Sequence, residues 1–204
     1  MKIVAENLGK RFNFNWIFRN INLVMEQGQA YAVIGHNGSG KSTLLQILAG
    51  IQPCSEGKLE YTLNHKMLSP DQIYQHLVLA SPYMDLIEEF TLKEHLQFHF
   101  KFKPLRTGLR LEEIPELLWL EKSLNKPIRY FSSGMKQRVR LGLAFFSDTP
   151  ILLLDEPVSN LDRAGIEWYR RQIDSQRDRL ILVGSNQEEE YVFCDQHIRI
   201  TTPS

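Results

Sequence analysis

Four stretches of the chain, Ala30-Ile34, Leu77-Ala80, Ile151-Leu154 and Leu180-Val183, are almost unbroken runs of apolar residues. Runs this short and this apolar predict strands buried on both faces. Helical patterns separate them, which predicts a mostly parallel sheet covered by helices. Shorter strand-like runs at Ile3-Ala5, Ile21-Leu23 and, after a Gly57 turn, Lys58-Tyr61 predict a smaller antiparallel sheet beside the first. Between Thr91 and Leu124 the apolar positions fall at Leu92, Leu96 and Phe100, then at Leu117, Leu118 and Leu120, with breaks at Pro104 and Pro115. This predicts a helical subdomain, over about residues 84–130, inserted into a single α/β domain spanning 1–204.

Composition changes this picture little. The 204 residues carry 24 basic and 24 acidic side chains, so no global field favours nucleic acid or an anionic bilayer. Cys54 and Cys194 are too few for a disulfide framework and match no metal-ligand spacing, which fits a reducing compartment. Lys2-Ile3-Val4-Ala5 reads as a strand and not as a secretory leader. The longest apolar runs fall far short of the roughly 20 residues a membrane-spanning helix needs. The expectation is a soluble, cytoplasmic chain.

The chemistry begins where the first core strand ends. Gly35-His36-Asn37-Gly38-Ser39-Gly40-Lys41-Ser42 fits the phosphate-loop pattern, and a helical run from Thr43 to Leu48 follows it. Glycines let backbone N–H groups wrap a phosphate, and the next helix presents its positive end to the same anion. Lys41 is expected to reach the β- and γ-phosphates and Ser42 to ligate Mg²⁺. Further along, the buried strand Ile151-Leu154 delivers Asp155 and Glu156 at its C-terminal edge. Asp155 is expected in the Mg²⁺ shell, and Glu156 as the group that polarises a water toward the γ-phosphate. The fold class is therefore an α/β phosphate-loop NTPase core with a small antiparallel β subdomain and a helical insertion.

Between these motifs lies Phe131-Ser132-Ser133-Gly134-Met135, which resembles the Leu-Ser-Gly-Gly-Gln signature of the ABC-type ATPases. Ser132 and Gly134 stand in the retained places; Phe131, Ser133 and Met135 depart from the pattern. Ser159-Asn160-Leu161-Asp162 is similar to that family's D-loop, so four motifs occur in order and the resemblance spans nearly the whole chain. It implies an ATP-binding, ATP-hydrolysing subunit that powers a separate integral membrane permease from the cytoplasmic face. It also implies a second ATP-binding subunit, the same chain or a different one, whose nucleotide meets Ser132, Ser133 and Gly134 of this one. By the same resemblance Phe12 is the adenine-stacking aromatic, with Phe14, Trp16 and Phe18 as alternatives or core residues. Loop residues Gly35 to Thr43 hold the phosphates.

Two departures bear on catalysis. Where the family has a Gln after the strand Leu77-Ala80, this chain has Ser81-Pro82-Tyr83, which puts Tyr83 at the metal- and water-contacting place. Where it has a His after the last core strand, the chain reads Gly184-Ser185-Asn186-Gln187, so Asn186, or Ser185 after a one-residue slip, takes the γ-phosphate-sensing place. Slow hydrolysis is the expectation. Two other readings stay open: a soluble ABC-type ATPase acting without a permease, and an ATP-dependent switch subunit that hydrolyses weakly.

Overall fold

The computed structural model describes residues 1–201. In chain order the strands and helices are β1 (Lys2–Phe12), β2 (Asn15–Glu26), β3 (Ala30–Ile34), α1 (Lys41–Leu48), β4 (Glu56–Leu63), β5 (Lys66–Leu68), β6 (Leu77–Ala80), α2 (Leu92–Phe102), α3 (Ile114–Leu117), α4 (Ser133–Phe146), β7 (Ile151–Asp155), α5 (Arg163–Asp174), β8 (Leu180–Ser185), α6 (Glu188–Tyr191) and β9 (Gln196–Arg199). They fall into two compact units, one of residues 1–79, 150–156 and 177–204, the other of 80–149 and 157–176. Among the described residues no helix is long and apolar enough to cross a membrane.

The first unit holds two sheets. Its larger sheet has the order β6-β7-β8-β3-β9, with β7/β8, β8/β3 and β3/β9 parallel. β7 and β8 are buried at every residue, as their unbroken apolar sequences require. The smaller antiparallel sheet runs β2-β1-β4-β5. Its two long strands extend well past the predicted cores. Shifts of register interrupt the pairing of β1 with β2, and the left-handed residues Asn7 and Asn20 lie on those strands, so no simple alternation marks their length. Helix α1 supplies Leu44, Leu45 and Leu48 to a core shared with Ile3, Leu8, Phe18, Val33, Tyr61, Leu153 and Leu182.

The second unit is helical, though less so than the periodicity predicts. Helix α2 starts at a capping box in which Thr91 Oγ1 accepts from the Glu94 N–H and Glu94 Oε2 accepts from the Thr91 N–H. Helix α3 starts with Pro115 in its first turn, where proline is well tolerated, and lasts only four residues because Trp119 adopts φ +57° just beyond it. Helix α4 packs against that turn: a Cβ at Gly142 would lie 2.2 Å from Leu118 Cδ2. Helix α5, an amphipathic segment in a largely polar stretch, brings Trp168 and Tyr169 onto Phe145 and donates the Trp168 indole N–H to Leu117 O at 2.8 Å.

Candidate active site

Strand β3 runs into Gly35, and α1 begins at Lys41. Positive φ at Gly38 (82°) and Gly40 (100°) folds the intervening loop back on itself. Gly40 has a second constraint, since a Cβ there would lie 2.3 Å from Ile17 Cγ2 of β2. Ser39 is buried and so close to the start of the loop that a Cβ on Gly35 would meet its Oγ at 2.5 Å. Helix α1 has no side-chain cap and no acid in its first turn, which leaves its N-terminal N–H groups suited to an anion. Ser42 and Thr43 stand half-buried in that turn.

Lys41 is the centre of this loop. It is 5% exposed, and its ammonium donates to Gly35 O at 3.0 Å and His36 O at 3.1 Å. Carbonyl dipoles of its own loop, not a carboxylate, meet this buried cation. An incoming phosphate would supply the missing negative charge, so the residues present fit a nucleotide triphosphate tail.

Two strand ends converge on the same place. Asp155 ends β7 opposite Gly184 of β8, and a Cβ on Gly184 would approach Asp155 Oδ1 at 3.3 Å and Leu45 Cδ1 of α1 at 3.2 Å. The missing side chain at Gly184 therefore lets β8, the Asp155 carboxylate and α1 come together. Glu156 adopts φ +43°, a left-handed conformation rarely held by a non-glycine residue, and its N–H is fixed by Gly184 O at 2.9 Å. Beyond β8, the exposed Asn186 donates its amide to Asn37 Oδ1 of the loop at 2.9 Å. Ser185 is fully buried and gives its hydroxyl to Glu190, so it is Asn186 that faces the loop.

The aromatic candidates separate cleanly. Phe18 is core, and Trp16 is covered by the Arg19 guanidinium 4.1 Å from its ring centroid. Phe12 is 44% exposed at the end of β1, with the Lys10 ammonium 4.9 Å from its centroid, and Phe14 lies almost wholly in solvent.

Tyr83 and the signature residues belong to the second unit. The Tyr83 side chain is strongly exposed. Ser132 is the N-cap of α4, its Oγ accepting from the Met135 N–H at 3.2 Å, and the helix starts at Ser133. Both serines are exposed. Gly134 cannot carry a side chain where it stands, because a Cβ would lie 2.9 Å from Asn160 O. Gln137, fully buried, donates its amide to Pro157 O at 2.9 Å. The buried polar groups Gln137 and Glu190 leave no mark in the motif pattern; their spacing to Gly134 and Asn186 along helical turns is the only trace of them.

The family model for ABC transporters matches residues 18–159, well over half of the 204. The chain belongs to the ABC transporter family. It is 32% identical over 192 residues to the human "Phospholipid-transporting ATPase ABCA3", a match over 89% of this chain that spans only 11% of that protein's length. It is 30% identical to the "Cytochrome c biogenesis ATP-binding export protein CcmA" of Agrobacterium fabrum, over 86% of this chain and 83% of that one. The "ABC transporter ATP-binding protein NatA" of Bacillus subtilis shares 27% identity over 89% of this chain and 77% of its own. Among solved structures, a dimeric ATP-binding cassette in a post-hydrolysis state bound to ADP and Pi superposes with TM-score 0.84 at 21% identity, over 98% of this chain and 94% of the other. A putative ABC transporter ATP-binding protein from Pyrococcus furiosus gives 0.81 at 18% identity, over 98% of both chains. These two carry the fold, and the family carries the activity: the chain is an ABC-type ATPase that binds ATP.

Proposed function

We propose that this chain is the ATP-hydrolysing subunit that drives transport through a separate membrane permease, working from the cytoplasmic face as one of a pair of ATP-binding subunits. The whole of 1–204 is then a single nucleotide-binding domain. The observation that supports this most is the buried Lys41 ammonium, held by the Gly35 and His36 carbonyls of its own loop at the start of α1, the helix whose Leu45 meets Gly184 beside the Asp155 carboxylate.

Bound ATP and Mg²⁺ supply the phosphoryl group and the divalent charge. The chain's own residues do the rest. Gly35 to Thr43 wrap the phosphates, and Lys41 transfers its hydrogen bonds from the two carbonyls to phosphate oxygens. Ser42 and Asp155 are the residues that would hold Mg²⁺. One hydroxyl and one carboxylate suffice for a cation that keeps waters and takes phosphate oxygens, so no dedicated cage is needed. Among the described residues no group of three His, Cys, Asp or Glu is placed to form one. Tyr83 occupies the remaining family position for metal contact, where a neutral phenol is a poor Mg²⁺ ligand, and we leave it out of the shell. Glu156 orients and deprotonates the water; Asn186 donates to the γ-phosphate. Phe12 offers an open ring face to the adenine. Ser132, Ser133 and Gly134 serve the nucleotide of the second subunit through the start of α4.

Equilibrium binding of labelled ATP to wild type and Lys41→Ala tests the site. Loss of most of the affinity in the variant is expected, with folding unchanged. Equal affinity would remove the phosphate-loop assignment. Co-purification tests the partnership: recovery of an integral membrane protein with the tagged chain is expected, and recovery without any would favour an ATPase acting alone.

A further inference from the structure

We propose that Glu190 is a positioning residue for hydrolysis, acting through Ser185 to hold Asn186 at the phosphate loop. The inference rests on the reading that Asn186 meets the γ-phosphate, and it names what keeps that side chain in place.

Ser185, the last residue of β8, and Glu190, in the short helix α6, are both fully buried. The Ser185 hydroxyl donates to Glu190 Oε2 and accepts the Gln187 N–H at 2.8 Å. One hydroxyl thus closes the turn Ser185-Asn186-Gln187, while the Glu190 N–H bonds back to Gln187 O at 3.1 Å. Asn186 is the tip of that turn. It alone of the three reaches across to the phosphate loop, through Nδ2 to Asn37 Oδ1.

A carboxylate is rarely kept out of water without a partner that repays its desolvation. One partner here is a hydroxyl that also accepts the Gln187 N–H, next to Asn186. Without the Glu190 acceptor the Ser185 hydroxyl keeps only the longer contact to Gln187 O at 3.3 Å, its hold on the Gln187 N–H loosens, and the Asn186 amide samples positions away from the loop. Such a loss acts on the placement of one donor and leaves the phosphate cradle, Gly35 to Thr43, untouched. Turnover should fall while ATP affinity stays.

The test is steady-state hydrolysis by wild type, Ser185→Ala, Glu190→Ala and Glu190→Gln, each alone and combined with Asn186→Ala, with ATP affinity measured separately. Loss of one neutral hydrogen bond from the transition state lowers kcat about tenfold, and that is the expected effect of Ser185→Ala and of Glu190→Ala, with KM for ATP within about twofold. Glu190→Gln, which keeps an acceptor oxygen, should restore most of the rate. In the Asn186→Ala background none of the three should add a further loss, because the group they position is gone. Equal, multiplicative losses with and without Asn186 would mark Glu190 as a general structural residue and overturn the proposal; so would unchanged turnover in Ser185→Ala and Glu190→Ala. Should Glu190→Ala fail to fold, Ser185→Ala and Glu190→Gln carry the same comparison. Wild-type turnover in Asn186→Ala itself would overturn the reading of Asn186 and this proposal with it. That pattern differs from a slow Asn186→Ala beside normal Ser185 and Glu190 variants, which overturns this proposal alone.

Discussion

Hydrolysis by the isolated chain should be slow, and the structure says by how much Asn186 is responsible. Its amide already donates to Asn37 Oδ1 at 2.9 Å. The amide carries two hydrogens, so it serves a γ-phosphate either with its second N–H while tethered to Asn37 or by releasing that tether, at about 1 kcal/mol net. A neutral amide also gains roughly 1 to 1.5 kcal/mol less than a charged donor when it meets the charge developing on a transferring phosphoryl group. With the tether released these come to about 2 to 2.5 kcal/mol, or roughly thirty- to seventyfold in rate. Asn186→His should recover about tenfold or more, since the imidazole can become cationic and is not the natural partner of Asn37. Asn186→Ala should lose about tenfold, having neither donor. The assay is steady-state release of phosphate at saturating ATP and Mg²⁺, with nucleotide affinity measured in parallel to separate binding from chemistry. Brisk wild-type turnover that Asn186→Ala leaves unchanged would refute the reasoning, because another group would then be meeting the γ-phosphate.

Glu156→Gln should keep ATP bound while slowing hydrolysis by two orders of magnitude or more, the amide preserving shape but losing the base; size measurement with ATP and Mg²⁺ should then find a two-chain complex, and a lone monomer at micromolar protein would count against an intrinsic pairing. Stability of the second unit should depend on pH through His99, which burial first, and then the charges of His95 and Lys103, push down to about 4. Ser147 Oγ donates to Leu143 O at 2.6 Å, so it must accept from His99 Nε2–H, 2.9 Å away, and the neutral ring has its acceptor at Nδ1. Unfolded His99 takes a proton below about 6.5 whereas the folded ring resists until about 4, so stability is full above the upper value and falls through that window by up to about 3 kcal/mol. Denaturant titrations across that range should show a shallower pH slope for His99→Gln, and an equal slope would assign the effect elsewhere.

What the sequence reveals and what it hides divide along a physical line. β3, β7 and β8 are legible because a strand buried on both faces has to be apolar at every position, and the phosphate loop because its glycines are forced by backbone angles and by the approach of Ile17 to Gly40. β1 and β2 are legible only as fragments, since the irregular pairing near Asn7 and Asn20 breaks the alternation. Helix α5 is legible in the spacing of Ile166, Tyr169 and Ile173, which recur at i, i+3 and i+7 in an otherwise polar run, but not in the density of apolar residues that marks the strands. The run Leu117 to Leu120 reads as helix, yet Trp119 turns left-handed there, a choice made by packing on α4 and not by local preference. Ser185 and Asn186 are not distinguished along the chain; in the structure Ser185 is buried against Glu190, whereas Asn186 is exposed and bonds to Asn37.

The turn after Glu156 illustrates how much of this site depends on backbone rather than on its named side chains. Pro157 O is held by the buried amide of Gln137, and Asn160 O passes so close to Gly134 that no side chain fits between them. Both anchors lie on the first turns of α4, and both grip the same short stretch, in which Asn160 itself is left-handed at φ +65°. The start of α4 and the stretch from Pro157 to Asn160 are therefore packed directly on one another. Any larger residue at Gly134 would have to displace a backbone carbonyl, which cannot rotate away as a flexible side chain does. That explains why Ser133, exposed and free of such contacts, can replace the family's glycine, whereas Gly134 is retained: the first position faces solvent in this chain, and the second faces the main chain of the D-loop.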